Sequence, residues 1–142
     1  MQRTSRSCGA VAVVLTCVAV AGCGGDIRQD ELNRSIESLQ SSAGDGVLLA
    51  DGVARDRTKT TFVRAHAREI SEDVDHEAEK LNDASADASL ADEKRRAVEL
   101  AQTISGALGD LQTAPSDRAG AEAARHELRK LRDRAQQLRD EL

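Results

Sequence analysis

The sequence predicts an all-α fold: an up-down-up-down antiparallel four-helix bundle that follows a cleaved N-terminal signal peptide. Beyond residue 25, the chain is dominated by Ala, Leu, Glu, Arg and Gln, which are strong helix formers. Apolar residues recur there at alternating steps of three and four residues along four segments. Short stretches rich in helix-breaking and helix-capping residues separate these segments. Together the three observations predict four helices that bury one face each.

The apolar periodicity predicts helices at about 28–56, 60–83, 89–113 and 116–141. Short connections make consecutive helices antiparallel neighbours, so the core positions form layers, and one end layer consists of four leucines. The predicted core positions are Leu32, Ile36, Leu39, Ala43, Gly46, Ala50 and Val53; Thr60, Val63, Ala67, Ile70, Val74, Glu77 and Leu81; Leu90, Lys94, Ala97, Ala101, Ile104, Leu108 and Leu111; and Ala121, Ala124, Leu128, Leu131, Ala135, Leu138 and Leu142.

Each break between segments has the composition of a helix end. The stretch "DRTKTT" at 56–61 offers a threonine to cap the second helix. In "NDASADAS" at 82–89, Ser89 and Asp92 have the spacing of a loose capping box for the third helix. Pro115 lies where the third helix stops or the fourth begins.

Two polar residues occupy core positions. Glu77 and Lys94 fall in the same predicted layer on neighbouring helices, and we expect them to form an ion pair. A buried pair contributes little net stability, so its expected role is to set the register of the helices.

The glycines at 44 and 46 leave two interpretations of the first helix. Each glycine inside a helix costs about 1 kcal/mol relative to alanine, so "AGDG" could separate a short first helix from a long second one that runs to about residue 83. The uninterrupted heptad pattern across 36–53 favours a single helix instead.

The first 22 residues have the three parts of a secretory signal peptide. Residues 1–7 carry Arg3 and Arg6 and no acid, residues 8–21 are small and apolar, and Gly22-Cys23 follows. The apolar run has about 14 residues, fewer than the roughly 20 that a membrane-spanning helix needs. We therefore expect this segment to be removed.

Val20-Ala21-Gly22-Cys23 resembles the lipobox of bacterial lipoprotein signal peptides. The resemblance implies a diacylglycerol thioether on Cys23, cleavage before it, and localisation on the extracytoplasmic face of the cell membrane. It divides the chain into a signal peptide (1–22), a lipid-anchored linker (23–27) and a bundle domain (28–142). Arginine outnumbers lysine 16 to 4, which with the lipobox suggests a small actinobacterial lipoprotein.

The composition of the mature chain excludes several functions. Loss of Arg3 and Arg6 changes the formal charge from −5 to −7, and such an acidic protein is a poor candidate for nucleic acid binding. Phe62 is the only aromatic residue, which argues against base stacking and sugar binding. With Cys8 and Cys17 removed and Cys23 acylated, no disulfide within the chain is expected, so packing alone must stabilise the domain.

No set of residues predicts an enzyme, a cofactor or a metal site. Asp73 and His76, three residues apart, resemble half of a ferritin-like site, and Glu122 and His126 lie one turn apart, but none of the four occupies a core position. His66 borders the core and is expected to be structural. The "GDG" stretch lacks the lysine and the preceding strand of a phosphate-binding loop.

The sequence therefore favours a non-enzymatic interaction module of the cell envelope that contacts the membrane through its lipid and another envelope protein or a second copy of itself. The acidic run 69–79 and the basic run 125–134 could meet between copies, and Leu48 and Phe62 fall outside the predicted core. The alternative is a ferritin-like bundle that binds a metal or a small ligand.

Overall fold

Four helices make up most of the chain in a computed structural model that describes residues 26–142. They are α1 (Gln29–Ala54), α2 (Thr60–Asp83), α3 (Ala91–Thr113) and α4 (Arg118–Asp140). Two strands of two residues each complete the fold, β1 (Asp26–Ile27) before α1 and β2 (Ser85–Ala86) between α2 and α3. The all-α antiparallel four-helix bundle is thus confirmed. No helix within this described part is long and apolar enough to cross a membrane.

The helices pack as two close pairs, α1 with α4 and α2 with α3. The α1–α2 and α3–α4 edges are in looser contact, and α1 also touches α3 across the middle of the bundle. Small core residues allow the close approach. A Cβ atom on Gly46 would lie 3.0 Å from side-chain atoms of both Leu108 and Leu128. Glycine at this position, although unfavourable for the helix locally, lets α1 pack tightly against α3 and α4.

The predicted periodicity describes the core well. Of the predicted positions, Thr60 is exposed, Glu77, Lys94, Leu90 and Leu142 are partly buried, and the others are buried. The core also buries residues outside the predicted pattern, namely Ile27, Ser35, Val47, Leu49, Gly52, Leu100 and Pro115. Helix α1 is continuous from Gln29 to Ala54, which confirms the single first helix over the alternative with a break at "AGDG".

The capping residues predicted for the second and third helices are both wrong. Lys59, not a threonine, precedes α2, and its ammonium group cannot accept a hydrogen bond from a backbone amide. Thr58 packs against Gly52, where a Cβ on the glycine would lie only 2.2 Å from the Thr58 hydroxyl oxygen. Leu90, not Ser89, precedes α3, since a turn closed by the Leu90 amide and the Asp87 carbonyl delays the helix. At α4 the Asp117 side chain accepts from the Ala119 amide, two residues after buried Pro115.

The predicted Glu77–Lys94 ion pair is wrong as well. The Glu77 carboxylate lies 3.3 Å from Lys80 Nζ on its own helix, and Lys80 also donates to the buried Ser35 hydroxyl at 3.2 Å. Lys94 Nζ donates to the backbone carbonyl of Ala84, just past the end of α2. Glu77 and Lys94 therefore each contact another group instead of each other, and the register of the helices does not depend on a pair between them.

The start of the described chain is attached to the bundle rather than free. β1 pairs with β2 in parallel, Asp26 beside Ser85 and Ile27 beside Ala86, and the Ile27 side chain is buried. The linker expected over residues 23–27 is therefore shorter than predicted, because its last two residues belong to the folded domain. We call this end of the bundle, with the α2–α3 connection and the C-terminus, the foot.

Candidate interaction surface

The end opposite the foot carries the α1–α2 loop (55–59) and the α3–α4 loop (114–117), and we call it the distal end. The 26 residues of α1 span roughly 40 Å at 1.5 Å per residue, so the two ends are well separated. The predicted site residue, Cys23, lies outside the described residues, which begin with Asp26 at the foot.

A groove of about 720 Å³ runs between α3 and α4 in the distal half of the bundle. We call it the α3–α4 groove. Its lining is mostly small residues and consists of Thr103, Gly106, Ala107, Asp110, Leu111, Thr113, Ala114, Asp117, Gly120, Ala121, Ala123, Ala124 and Glu127. A Cβ atom on Gly106 would meet no other atom within 4 Å. The groove exists because these two helices lack the side chains that would fill the space between them.

Every charged residue that lines the α3–α4 groove is acidic. Asp110, Asp117 and Glu127 contribute carboxylates, and no lysine, arginine or histidine lines it. The Asp117 carboxylate accepts from the Ala119 amide at 3.1 Å, and Glu127 lies 3.8 Å from Lys130 Nζ. A shallow floor of small residues with an acidic rim suits an apolar group that carries positive charge beside it.

The opposite edge of the bundle, between α1 and α2, presents the single aromatic ring. Phe62 is 53% exposed, and its ring centroid lies 5.0 Å from that of His66. Phe62 lies 18 residues, or five helical turns, before Lys80, so it shares the side of α2 on which Lys80 contacts Ser35 of α1. Leu48 of α1 is 71% exposed, and the prediction that both residues lie outside the core is confirmed.

The segment that carries Phe62, residues 55–64, contains four bases and one acid. Arg55 and Arg57 contact Asp51, with nitrogen–oxygen distances of 2.9 and 2.8 Å. Arg64 lies seven residues, or two turns, before Ser71, so it shares the side of α2 that contacts α3. Lys59 is therefore the exposed base next to Phe62 that forms no ion pair within residues 26–142.

An arginine cluster around Asp51 joins the α1–α2 loop to α4. Besides Arg55 and Arg57, Arg125 of α4 donates to the Asp51 carboxylate at 2.9 Å. Partial burial opposes ionisation of Asp51, but the hydrogen bond from Arg125 and the charges of the three arginines outweigh it and lower the pKa of the carboxyl below 3.8. The cluster binds its own carboxylate and serves as a structural tie.

The two charged runs are each partly neutralised within the molecule. In the basic run 125–134, three of the five bases form ion pairs, and exposed Arg129 and Arg134 form none within the described residues. In the acidic run 69–79, three of the six acids contact a base, and exposed Asp73, Asp75 and Glu79 contact none within the same range. Both runs therefore keep unpaired charge on the surface.

The residues weighed as metal ligands stay apart from the core. Asp73, His76, Glu122 and His126 are exposed, on α2 and α4. Residues 26–142 bring together no group of three His, Cys, Asp or Glu side chains that could hold a metal ion. His66 is half-buried, and its Nδ1 lies 3.0 Å from a Glu69 carboxylate oxygen.

Comparison with known proteins assigns no family. No family model matches the chain, and neither a curated protein nor a solved structure matches it significantly. Arguments about function therefore depend on this chain's own residues.

Proposed function

We propose that the chain is a lipid-anchored lipoprotein of the extracytoplasmic face of the cell membrane, and that its bundle is a non-enzymatic interaction module. The observation that carries the proposal is Val20-Ala21-Gly22-Cys23, with two arginines and a short apolar run before it. Two acyl chains on Cys23, at about 0.8 kcal/mol for each buried CH₂ group, anchor a protein stably.

The geometry of the foot supports this anchor. Only two residues, Gly24 and Gly25, separate Cys23 from β1, which is paired to β2. Three residues of extended chain, from Cys23 to Asp26, reach about 10 Å at most. A lipid on Cys23 would hold the foot against the bilayer and direct the distal end away from it. The α3–α4 groove and the Phe62 edge would then face neighbours beside the protein.

The experiment that tests the anchor replaces the lipobox cysteine. In the producing bacterium, Cys23→Ser should yield an unprocessed precursor that takes up no labelled palmitate. Cys17→Ser is the matched control, because it removes a cysteine from the apolar run without altering the lipobox, and it should be labelled as the natural protein is. Palmitate on the Cys23→Ser variant would overturn the proposal.

The metal-binding alternative has no observation in its favour within residues 26–142. Elemental analysis of the full chain after dialysis tests it: stoichiometric iron, zinc or manganese would replace the interaction module with a metal-binding bundle.

A further inference from the structure

We propose that the α3–α4 groove is a docking site for a second copy of this chain, which inserts Phe62 of its α1–α2 edge into the groove. The inference builds on the proposed function, because a common membrane anchor would hold the copies upright and side by side. The groove and the Phe62 edge match in shape, in charge and in position along the bundle.

The shapes of the two surfaces are complementary. The α3–α4 groove has room for a phenyl ring with neighbouring methylene groups, since its volume is about 720 Å³ and its lining is rich in glycine and alanine. Phe62, which is 53% exposed, is the single aromatic side chain of the protein. Small residues at i, i+3 and i+4 spacing on both walls allow another helix to approach closely. An aromatic anchor in such a pocket is the usual centre of an interface.

The charges of the two surfaces are also complementary. The groove is lined by three carboxylates and no base. The segment that carries Phe62, residues 55–64, has four bases and one acid. Lys59, which is exposed, lies three residues before Phe62 and has no ion pair within the described chain, is free to face the carboxylates of a neighbour's groove. Such rim charges steer association and set its orientation more than they add affinity.

Both surfaces lie at the same height above the foot. The hydroxyls of Ser71 in α2 and Ser105 in α3 are 3.0 Å apart. Since the helices are antiparallel, Phe62, nine residues before Ser71, is level with Ala114, nine residues after Ser105. The same counting can be done through α1. Lys80 contacts Ser35 and Arg125 contacts Asp51, and equal numbers of residues counted along the antiparallel helices from these contacts place Phe62 level with Ala123 of α4. Ala114 and Ala123 both line the α3–α4 groove.

The two surfaces lie on opposite edges of the bundle, so the contact would be heterologous and could repeat. Copies anchored in one membrane share an orientation, and a sideways translation brings the Phe62 edge of one onto the groove of the next. The outcome is a row of molecules in the plane of the membrane. Confinement to the membrane raises the effective concentration, so that a contact that is weak in solution becomes populated.

The test traps this contact by cysteine crosslinking in membranes that contain the full chain. A variant with Ala65→Cys beside Phe62 and Ala123→Cys in the groove leaves Phe62 in place, and both alanines are exposed. With a short bifunctional thiol reagent, we expect a ladder of dimers, trimers and higher species. The control variant keeps Ala65→Cys but carries Arg129→Cys in place of Ala123→Cys. Arg129 is exposed on α4 and lies outside the groove lining, so this variant should form no ladder.

Two glycines of α3 give a matched pair of blocking variants. A Cβ on either Gly106 or Gly109 meets nothing within 4 Å, but only Gly106 lines the groove. On the crosslinking background, Gly106→Met should reduce the ladder at least tenfold, whereas Gly109→Met should change it less than twofold. Thermal unfolding should show both variants folded. Phe62→Ala should reduce the ladder as Gly106→Met does. Leu48→Ala, which shortens the other large exposed apolar side chain of the described residues, should leave the ladder nearly unchanged, as Gly109→Met does.

Equal ladders from the Gly106→Met and Gly109→Met variants would overturn self-docking. So would the absence of a ladder both in membranes and in concentrated purified full chain, where Cys8, Cys17 and Cys23 are replaced by serine so that only the two introduced thiols react. Palmitate labelling in the producing bacterium reports the anchor separately: a ladder in this concentrated protein with no labelling in the bacterium would keep the docking site and reject the lipid, and labelling without any ladder would do the reverse.

Discussion

Arg125 of α4 donates a hydrogen bond of 2.9 Å to the carboxylate of Asp51 in α1, near the distal end of the bundle. Arg55 and Arg57 approach the same carboxylate from the α1–α2 loop. A single acid thus ties a loop and two helices together. Since Arg118 of α4 also contacts Asp56, the α1–α2 loop is fastened to α4 at two places.

The tie at Asp51 predicts a specific loss of stability in acid. The pKa of Asp51 is lowered in the folded protein from 3.8, so its contribution is present above that pH and is lost as the pH falls through the folded pKa. Urea unfolding between pH 7 and pH 2 should show the Asp51→Asn variant less stable than the natural protein at pH 7, with the difference shrinking below pH 4. Asp45→Asn, at an exposed acid without an ion pair within residues 26–142, is the control. A constant difference across this range would contradict the assignment.

The two glycines inside α1 should respond oppositely to enlargement. A Cβ on Gly44 would meet only Arg132 Cδ at 3.9 Å, so Gly44→Ala should stabilise the protein by up to about 1 kcal/mol through helix propensity. A Cβ on Gly46 would lie 3.0 Å from Leu108 and Leu128, so Gly46→Val should overpack the core and destabilise it by about 1–3 kcal/mol. Chemical denaturation measures both, and a stabilising Gly46→Val would show that the helices can move apart.

Periodicity predicts most of the helical core because burial in a bundle depends on position along a regular helix. Ala43, Ile104 and Leu128 are buried as predicted. Partner choice among long polar side chains is different, since it depends on reach: Lys94 extends to the Ala84 carbonyl and Glu77 to Lys80, neither of which a layer diagram contains. The caps were missed for a related reason, as Thr58 packs on Gly52 rather than onto the next helix.

The contacts of Glu77 and Lys94 predict unequal effects of removing them. Glu77→Leu leaves Lys94 with its carbonyl partner and adds apolar surface at a mostly buried position, so its effect on the unfolding free energy should be within about 1 kcal/mol of zero. Lys94→Met removes a hydrogen bond to the end of α2 and should cost about 1 kcal/mol or more. Thermal unfolding of both single variants decides this. A large loss with Glu77→Leu would instead support direct Glu77–Lys94 pairing.

The α3–α4 groove was not predicted, although the sequence carries a signal for it. Gly106 and Gly109 lie inside α3 at positions where no close packing requires a glycine, since a Cβ on either meets nothing within 4 Å. Gly46 has the same unfavourable helix propensity, but its position is packed closely against neighbouring side chains. Sequence alone cannot separate the two cases, because the difference lies in the neighbouring helices.

The attachment of the chain start to the foot predicts the effect of shortening Ile27. The Ile27 side chain is buried, and Ile27→Ala should lower the unfolding free energy by about 2–4 kcal/mol at most, less if β1 alone detaches. Limited proteolysis should then cut near residues 26–28 before the helices are attacked. Asp26→Ala is the control, because its side chain is exposed while its backbone pairing with Ser85 persists. If Ile27→Ala leaves the proteolysis pattern unchanged, the backbone pairing of β1 with β2 is enough to hold the start of the described chain on the foot, and the burial of Ile27 adds little.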